Sequence, residues 1–483
     1  MDNIIKNSWC ISNNSYEIGS DETERITSVL PSERQLEFMK MEYYNFIHFG
    51  INTFYNNEWG NGKENIKRFN PEKLDTDQWC SVLKSTGSKG IIITAKHHDG
   101  FCLFDTAYTD HCVMNTPFGK DIVKMLSESC KKYGLKLGIY LSPWDRHEST
   151  YGTDEYNNYF VNQLTELCTN YGELFCLWFD GACGEGANGK KQVYDWDRYY
   201  AVIRELQPQA VISICGPDVR WIGNEGGRVR KSEWSIVPFG NASNDKVMAA
   251  SQQNEAQAAA LAATTDRDED LGSRELLRKY RDLIFKPAEA DISINLGWFY
   301  HPDSYYLLKK NRTGKDLAEV YFNSVGGNAS MLLNVPPDKN GLISKREIKT
   351  LKEFTRLITE PFKNEIADIT LTALRADKTE RAVVKDDIHL DDNEIGVKVR
   401  FLQKEKVSVI SLREDLRFSQ RVEEFKIYAK NSADGSFYDI YCGTVVGSRK
   451  IVRLREAVYT DEIIIVPTQV RKNPVLCDIR FYS

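Results

Sequence analysis

Leu174-Phe175-Cys176-Leu177-Trp178-Phe179-Asp180-Gly181 is the stretch that decides the fold. Six consecutive apolar residues bounded by a turn signal read as a strand buried on both faces. An ionised Asp at the tip of such a strand is costly unless its charge is paired or used. The pattern recurs outward from this point. Apolar runs at residues 43–50, 89–95, 135–141, 174–180 and 210–215 alternate with helical patterns at 71–86, 119–133, 155–171 and 193–206. A weak sixth strand at 232–237, a seventh at 291–296 and an eighth at 330–335 continue the series. Several helix patterns stop at Gly87, Gly134 or Gly172, or before Pro208, as helices do. Such alternation predicts an α/β protein with a (β/α)8-type, TIM-like catalytic barrel rather than an open sheet.

The domain reading follows the change of rhythm. Residues 1–30 form an N-terminal extension, 31–345 the barrel and 346–365 a connecting helix. From 366 to 483 the chain reads as short alternating strands, at 397–401, 407–412, 424–429, 437–442, 451–454 and 462–466, with turns such as Ala433-Asp434-Gly435. That is a C-terminal all-β sandwich. An Ala-, Gln- and Asp-rich segment at 241–270 breaks the barrel rhythm and reads as a rim loop or lid.

At 483 residues, 41% hydrophobic and 27% charged, the chain has the composition of a soluble globular protein. A net charge of −6 without a basic cluster argues against nucleic acid as a partner. No 18-residue apolar run predicts a membrane span and no signal peptide is visible. The expected compartment is therefore the cytoplasm or, if a signal was removed, the cell surface or exterior. Eleven cysteines without CxxC spacing read as buried free thiols rather than a disulfide framework or zinc site.

Barrel enzymes carry their chemistry at the C-terminal ends of the strands. Here these ends hold His48-Phe49-Gly50 with Glu58-Trp59 beyond, His97-His98-Asp99-Gly100, Ser142-Pro143-Trp144-Asp145, Asp180, Trp221 to Glu225, and Gly297-Trp298-Phe299-Tyr300-His301. His48, His97 and His98, three of only seven histidines, predict one shared polar pocket. Asp99 reads as a turn residue bonding the backbone. Paired carboxylates with aromatic rings and histidines suit glycoside hydrolysis, one carboxylate ionised as nucleophile and one protonated as acid. Asp180 is rigidly placed for the first role. Glu225, on a Gly-flanked loop free to move between solvent and substrate, suits the second, with Glu233 as its rival.

These residues identify a family. His48-Phe49-Gly50, His97-His98-Asp99-Gly100-Phe101, Tyr140-Leu141-Ser142-Pro143-Trp144 and Trp178-Phe179-Asp180-Gly181 resemble the α-L-fucosidases of glycoside hydrolase family 29, over about residues 30–345. The stretches from Gly216 to Glu225 and from Asp270 to Glu275 resemble the subfamily acting on branched α-1,3/1,4-linked, Lewis-type fucose. The resemblance implies a retaining exo-α-L-fucosidase with Asp180 as nucleophile and Glu225 as acid/base, and no cofactor or metal. It also implies that His48, Glu58, Trp59, His97, His98, Tyr140, Trp221 and Trp298 bind substrate, with Trp298 near the sugar methyl. Fucosylated oligosaccharides or glycoconjugates are the expected partners, and the oligomeric state is left open. Asn295-Leu296-Gly297 departs from an Arg-Pro-Gly frequent in relatives. The competing readings are a broad-specificity fucosidase, a metallohydrolase with His48, His97, His98 and Asp180 around zinc, and a silent fucose-binding protein. Adjacent strand residues point to opposite faces, which makes joint ligation by His97 and His98 awkward.

Overall fold

The computed structural model describes residues 20–239, 244–251, 270–302 and 311–483. Eight parallel strands form the first body: β1 Tyr43–Ile47, β2 Gly90–Lys96, β3 Lys136–Leu141, β4 Leu174–Phe179, β5 Val211–Ile214, β6 Arg220–Trp221, β7 Ala288–Ser293 and β8 Ala329–Asn334. Their order is β5-β4-β3-β2-β1-β8-β7-β6, and a bridge between Ser213 and Val219 links the two ends. The TIM-like barrel expected from the strand–helix alternation is therefore present, nearly closed.

Period-2 alternation sorts the strand residues. Tyr44, Phe46, Ile92, Tyr140, Cys176, Trp178 and Leu332 gather in one buried cluster that fills the barrel. Tyr43, Ile47, Ile91, Ile93, Ile139, Leu177 and Phe179 point the other way into the helix layer. Local signals set the helix limits. Asp75, Asp121 and Asp195 each accept a backbone N–H at the start of Thr76–Ser85, Ile122–Tyr133 and Trp196–Leu206. Gly134, at φ +63°, ends the second of these.

The sixth strand is not where the apolar pattern put it. Ile236–Pro238, overlapping the end of the expected 232–237 segment, pairs antiparallel with Leu283–Phe285 outside the barrel. The barrel strand is instead Arg220–Trp221, beside Ala288 and Glu289. Two residues are too few to show a period, so only the pairing reveals it. β7 likewise starts three residues before the expected 291, because its Ala-Glu-Ala-Asp opening carries its polar residues on the face turned into the barrel.

Beyond helix Lys345–Thr359 the chain forms an antiparallel all-β domain around its own core, which includes Val397, Ile410, Ile427, Val452 and Ile465. The segments expected as separate strands at 397–401 and 407–412 belong to one 21-residue strand, Glu394–Glu414. Those at 451–454 and 462–466 lie in Lys450–Val470. No Gly, Pro or Asn interrupts Leu402 to Lys406, so the strand runs on, with a register shift between Arg400 and Glu405 where it bends. Of the N-terminal extension, Ser20–Thr27 is helical, and Arg25 donates to the Leu277 carbonyl at 3.0 Å. Of the segment at 241–270, helix Asn244–Ser251 is described, whereas residues 241–243 and 252–269 lie outside the described residues. Among the described residues no helix is long and apolar enough to cross a membrane, and the ten described cysteines are free thiols.

A buried ion pair ties the end of β2 to the loop after β3. Lys96, the last residue of β2, donates to Asp145 Oδ2 at 2.8 Å with both side chains fully buried. The Lys96 ammonium lies 5.1–5.7 Å from the ring centroids of Tyr156, Tyr159 and Phe160. Asp145 also accepts the N–H groups of His147 and Glu148 at 2.9 and 2.8 Å. Lys96→Met removes one partner and leaves a buried carboxylate without its counter-charge. It should cost about 3–5 kcal/mol in denaturant-induced unfolding. A loss within the range of a surface substitution would show that water already solvates Asp145.

Candidate active site

Asp180 stands just past the end of β4 with 24% of its side chain exposed. Its two oxygens have different work. Oδ1 accepts the Ala182 N–H at 2.8 Å, a local turn bond that fixes the rotamer. Oδ2 accepts the Tyr140 hydroxyl at 3.0 Å and faces His98 Nε2 at 3.7 Å. Gly181 allows the next layer: a Cβ there would overlap Ser251 Oγ and come within 2.9 Å of Val247 Cγ1. The described part of the 241–270 segment thus packs directly behind Asp180.

The three histidines share this pocket. His97 and His98 lie past the last residue of β2, in the turn, where strand alternation no longer applies. Their ring centroids are 4.1 Å apart instead of on opposite faces, which corrects the expectation from strand geometry. His48 is 5.8 Å from His97, and His97 stacks on Tyr140 at 5.7 Å. Burial drives all three towards the neutral form, His48 to about 3, His98 to about 4 and His97 well below its usual value.

Hydrogen bonds assign the tautomers of two of them. Ser142 donates its hydroxyl proton to the Trp144 carbonyl, so at 2.7 Å it accepts from His98 Nδ1–H. Asn334 donates from Nδ2 to Ser293 Oγ and the Trp298 carbonyl, so its Oδ1 accepts from His48 Nδ1–H at 2.9 Å. In both rings Nε2 then carries a lone pair. The pair offers acceptors for hydroxyl donors beside an anionic carboxylate.

Glu58 acts on the neighbouring wall. Its Oε2 accepts the Trp298 N–H at 2.7 Å and its Oε1 meets His301 Nε2 at 2.5 Å. A Cβ on Gly297, whose φ is +153°, would press on the same carboxylate. The loop is thereby held so that the Trp298 ring lies 5.0 Å from His48. Trp59, 43% exposed, stands edge-on to His98 at 5.8 Å and Trp144 at 5.6 Å, a rim position.

Glu225 occupies a loop that is anything but free. Asn224, buried, accepts the N–H groups of Gly226 and Arg228 on Oδ1, each at 3.1 Å, and donates to the Arg228 carbonyl at 2.8 Å. Glu225 keeps contact with solvent but is crowded by protein on most sides. This desolvation, with the charges of Asp180 and Glu58, pushes its carboxyl up to about 7. Asp291, on β7 inside the barrel, accepts the Trp221 indole N–H at 2.7 Å and is itself raised by burial and by Glu225. The rival Glu233 is fully buried between Arg220 and Arg230, which hold it ionised below its usual range despite burial.

Asp180 lies against a tyrosine and a histidine, and its charge together with burial raises the Glu225 carboxyl to about 7, an electrostatic pairing that suits hydrolysis. A model of the α-L-fucosidase family matches residues 24–360. The chain belongs to that family. It is 35% identical over 472 residues to α-L-fucosidase 1 of Arabidopsis thaliana, spanning 94% of this chain and 87% of that protein. Among solved structures, a glycoside hydrolase family 29 member from an unknown rumen bacterium shares 31% identity at a TM-score of 0.74, covering 94% and 77% of the two chains. A Ruminococcus gnavus family 29 fucosidase in complex with fucose shares 27% at a TM-score of 0.76, covering 94% and 95%.

In this family 29 glycoside hydrolase, His48, His97, His98, Tyr140, Trp298 and Asp180 are joined by direct contacts, with Trp59 and Glu58 on the wall beside them. Glu225 is reached by the Trp298 side chain and by the charge of Asp180, and Trp221 bonds Asp291, which feels Glu225 in turn. Sequence reasoning left unassigned the groups that orient these: Ser142, Ser293, Asn334, His301, Asn224 and Asp291. It also missed Glu289, fully buried at the barrel floor, which accepts from the Tyr44 hydroxyl and, at 2.7 Å, from Trp178 Nε1. Glu289 and Asp291 left a signal. Ala-Glu-Ala-Asp-Ile-Ser puts its polar residues on one face and its apolar ones on the other, and in a barrel the polar face is the interior. Asp99 bonds the Phe101 N–H at 2.8 Å, the turn role expected of it.

Proposed function

We propose that the enzyme is a retaining exo-α-L-fucosidase that releases α-1,3/1,4-linked fucose from branched, Lewis-type glycans by double displacement. The observation that carries the mechanism is the split between two carboxyl groups acting on one another. Asp180 has an oxygen fixed by Tyr140 and turned into the pocket. Glu225 feels the Asp180 charge and holds its proton to about 7. In the first step Asp180 Oδ2 attacks the anomeric carbon while Glu225 delivers its proton to the departing glycosidic oxygen. In the second, Glu225, now a carboxylate, takes a proton from water as that water displaces Asp180 and frees the sugar. Tyr140, donating to Asp180, holds the nucleophile ready and loosens its grip as charge leaves it.

His48, His97, His98, Glu58, Trp59, Tyr140, Trp221 and Trp298 bind the substrate in this reading. The Nε2 lone pairs of His48 and His98 accept from two sugar hydroxyls, and the Trp298 ring gives the 6-deoxy methyl an apolar wall. Several of these residues act at one remove. Glu58 works largely through the Trp298 loop, and Trp221 through Asp291. The zinc reading is tested by chelation, since activity lost to a chelator and restored by zinc would favour it. Among the described residues no group of three or more His, Cys, Asp or Glu is arranged around a common point for a metal.

The linkage preference rests on the resemblance of the stretches 216–225 and 270–275. Part of each serves the scaffold, since Arg220 pairs with Glu233 and Arg274 with Glu423. Incubation with Lewis a and Lewis x trisaccharides, 2′-fucosyllactose and an aryl fucoside side by side tests it. Fucose should leave the first two at least about tenfold faster in kcat/KM, a difference of about 1.4 kcal/mol in transition-state binding. Equal rates on all four would establish the broad-specificity alternative.

A further inference from the structure

The loop that carries Glu225 is clamped between two elements. Gly226 bridges Ile292 of β7, and a Cβ on Gly227 would overlap Val320 of helix Gly314–Ser324. Arg312 enters at this corner, two residues before that helix. Its Nη1 donates to the carbonyls of Ser293 and Asn295, at 2.7 and 2.8 Å, so one nitrogen is tied to the residue following Ile292 and to the loop beyond. Several carboxylates bear on this corner: Asp180 from β4, Glu58 from the loop after β1 and Asp291 from β7 act on or feel Glu225, while Asp316, in the first turn of helix Gly314–Ser324, acts on Arg312. On the loop itself Arg228 and Arg230 follow Glu225, Arg230 being turned to Glu233.

We propose that Arg312 is a positioning residue of the reaction, held by two main-chain carbonyls against the Glu225 loop so that its charge offsets those of Asp180 and Glu58. The inference rests on Glu225 being the acid/base. Its direction is fixed by electrostatics. A guanidinium stabilises the Glu225 carboxylate and lowers the pH at which the proton is lost, while burial and the two anions raise it. Asp316 and, after it, Glu225 support the charge of Arg312 against its own burial. The acid therefore releases its proton near neutrality rather than well above, so the same side chain can serve as base in the second step.

The test is the alkaline limb of kcat/KM on a Lewis trisaccharide, whose poor leaving group needs the acid. Wild type should fall with a midpoint near 7. Arg312→Gln, which keeps a donor for the carbonyls and loses the charge, should move the midpoint up by roughly half to one pH unit. Arg312→Lys should stay at the wild-type midpoint. Arg312→Met replaces the glutamine variant if that one does not fold. A neutral variant with the wild-type midpoint, however much its kcat drops, overturns the role of Arg312. Glu225→Gln is measured alongside on its residual activity. If it keeps the limb, the acid/base reading has failed rather than the arginine.

Discussion

Asp180→Asn should lower kcat/KM on every fucoside, activated or not, by on the order of 10⁴-fold or more, with little loss of stability. The substitution keeps the shape of the side chain and its turn bond to Ala182. What it removes is the anion, hence the covalent path. A fluoride leaving group gives no relief, because the missing partner is the nucleophile and not the acid. Rates are read on fucosyl fluoride and on a Lewis trisaccharide with the same enzyme preparation. Turnover of the fluoride within tenfold of wild type would remove Asp180 from the chemistry.

Glu225→Gln should behave differently on the two donors. On the trisaccharide, loss of general acid catalysis costs roughly 10²–10⁴-fold. On the fluoride, whose departure needs no proton, formation of the glycosyl-enzyme should stay near the wild-type rate. The wild-type pH profile should mirror this. The acid must hold its proton, so activity on the trisaccharide falls as pH rises through about 7, the value to which burial and Asp180 push Glu225. Glu233 is the control. Its carboxylate is spent on Arg220 and Arg230, so Glu233→Gln should show in unfolding and not as a donor-dependent split. A donor-dependent split for Glu233→Gln, with Glu225→Gln near wild type, would transfer the acid role.

The legibility of the site follows from how barrels are built. Each strand end is short in sequence and fixed in space, so His48, His97, His98, Asp180 and Trp298 are visible as polar or aromatic punctuation after apolar runs. Residues that orient them are visible only as contacts. Ser142 matters because its proton goes to the Trp144 carbonyl, and Asn334 because its amide faces the Trp298 carbonyl. Neither fact has a sequence period. Glu58 reads as a sugar ligand from its position after β1, yet its oxygens are largely taken by the Trp298 loop and His301.

By itself the sequence determined the barrel and the all-β domain that follows it, and it marked the strand tips that enter the proposed chemistry. Apolar runs of strand length alternating with capped helices bury their faces in few ways. Tertiary structure alone decided the sixth strand, since the two residues Arg220 and Trp221 become a strand only by pairing with β7. It also decided the protonation of the pocket. Glu225 is an ordinary glutamate in the chain, and its carboxyl is raised to about 7 because folding crowds protein around it and brings the Asp180 charge to bear, although it keeps contact with solvent.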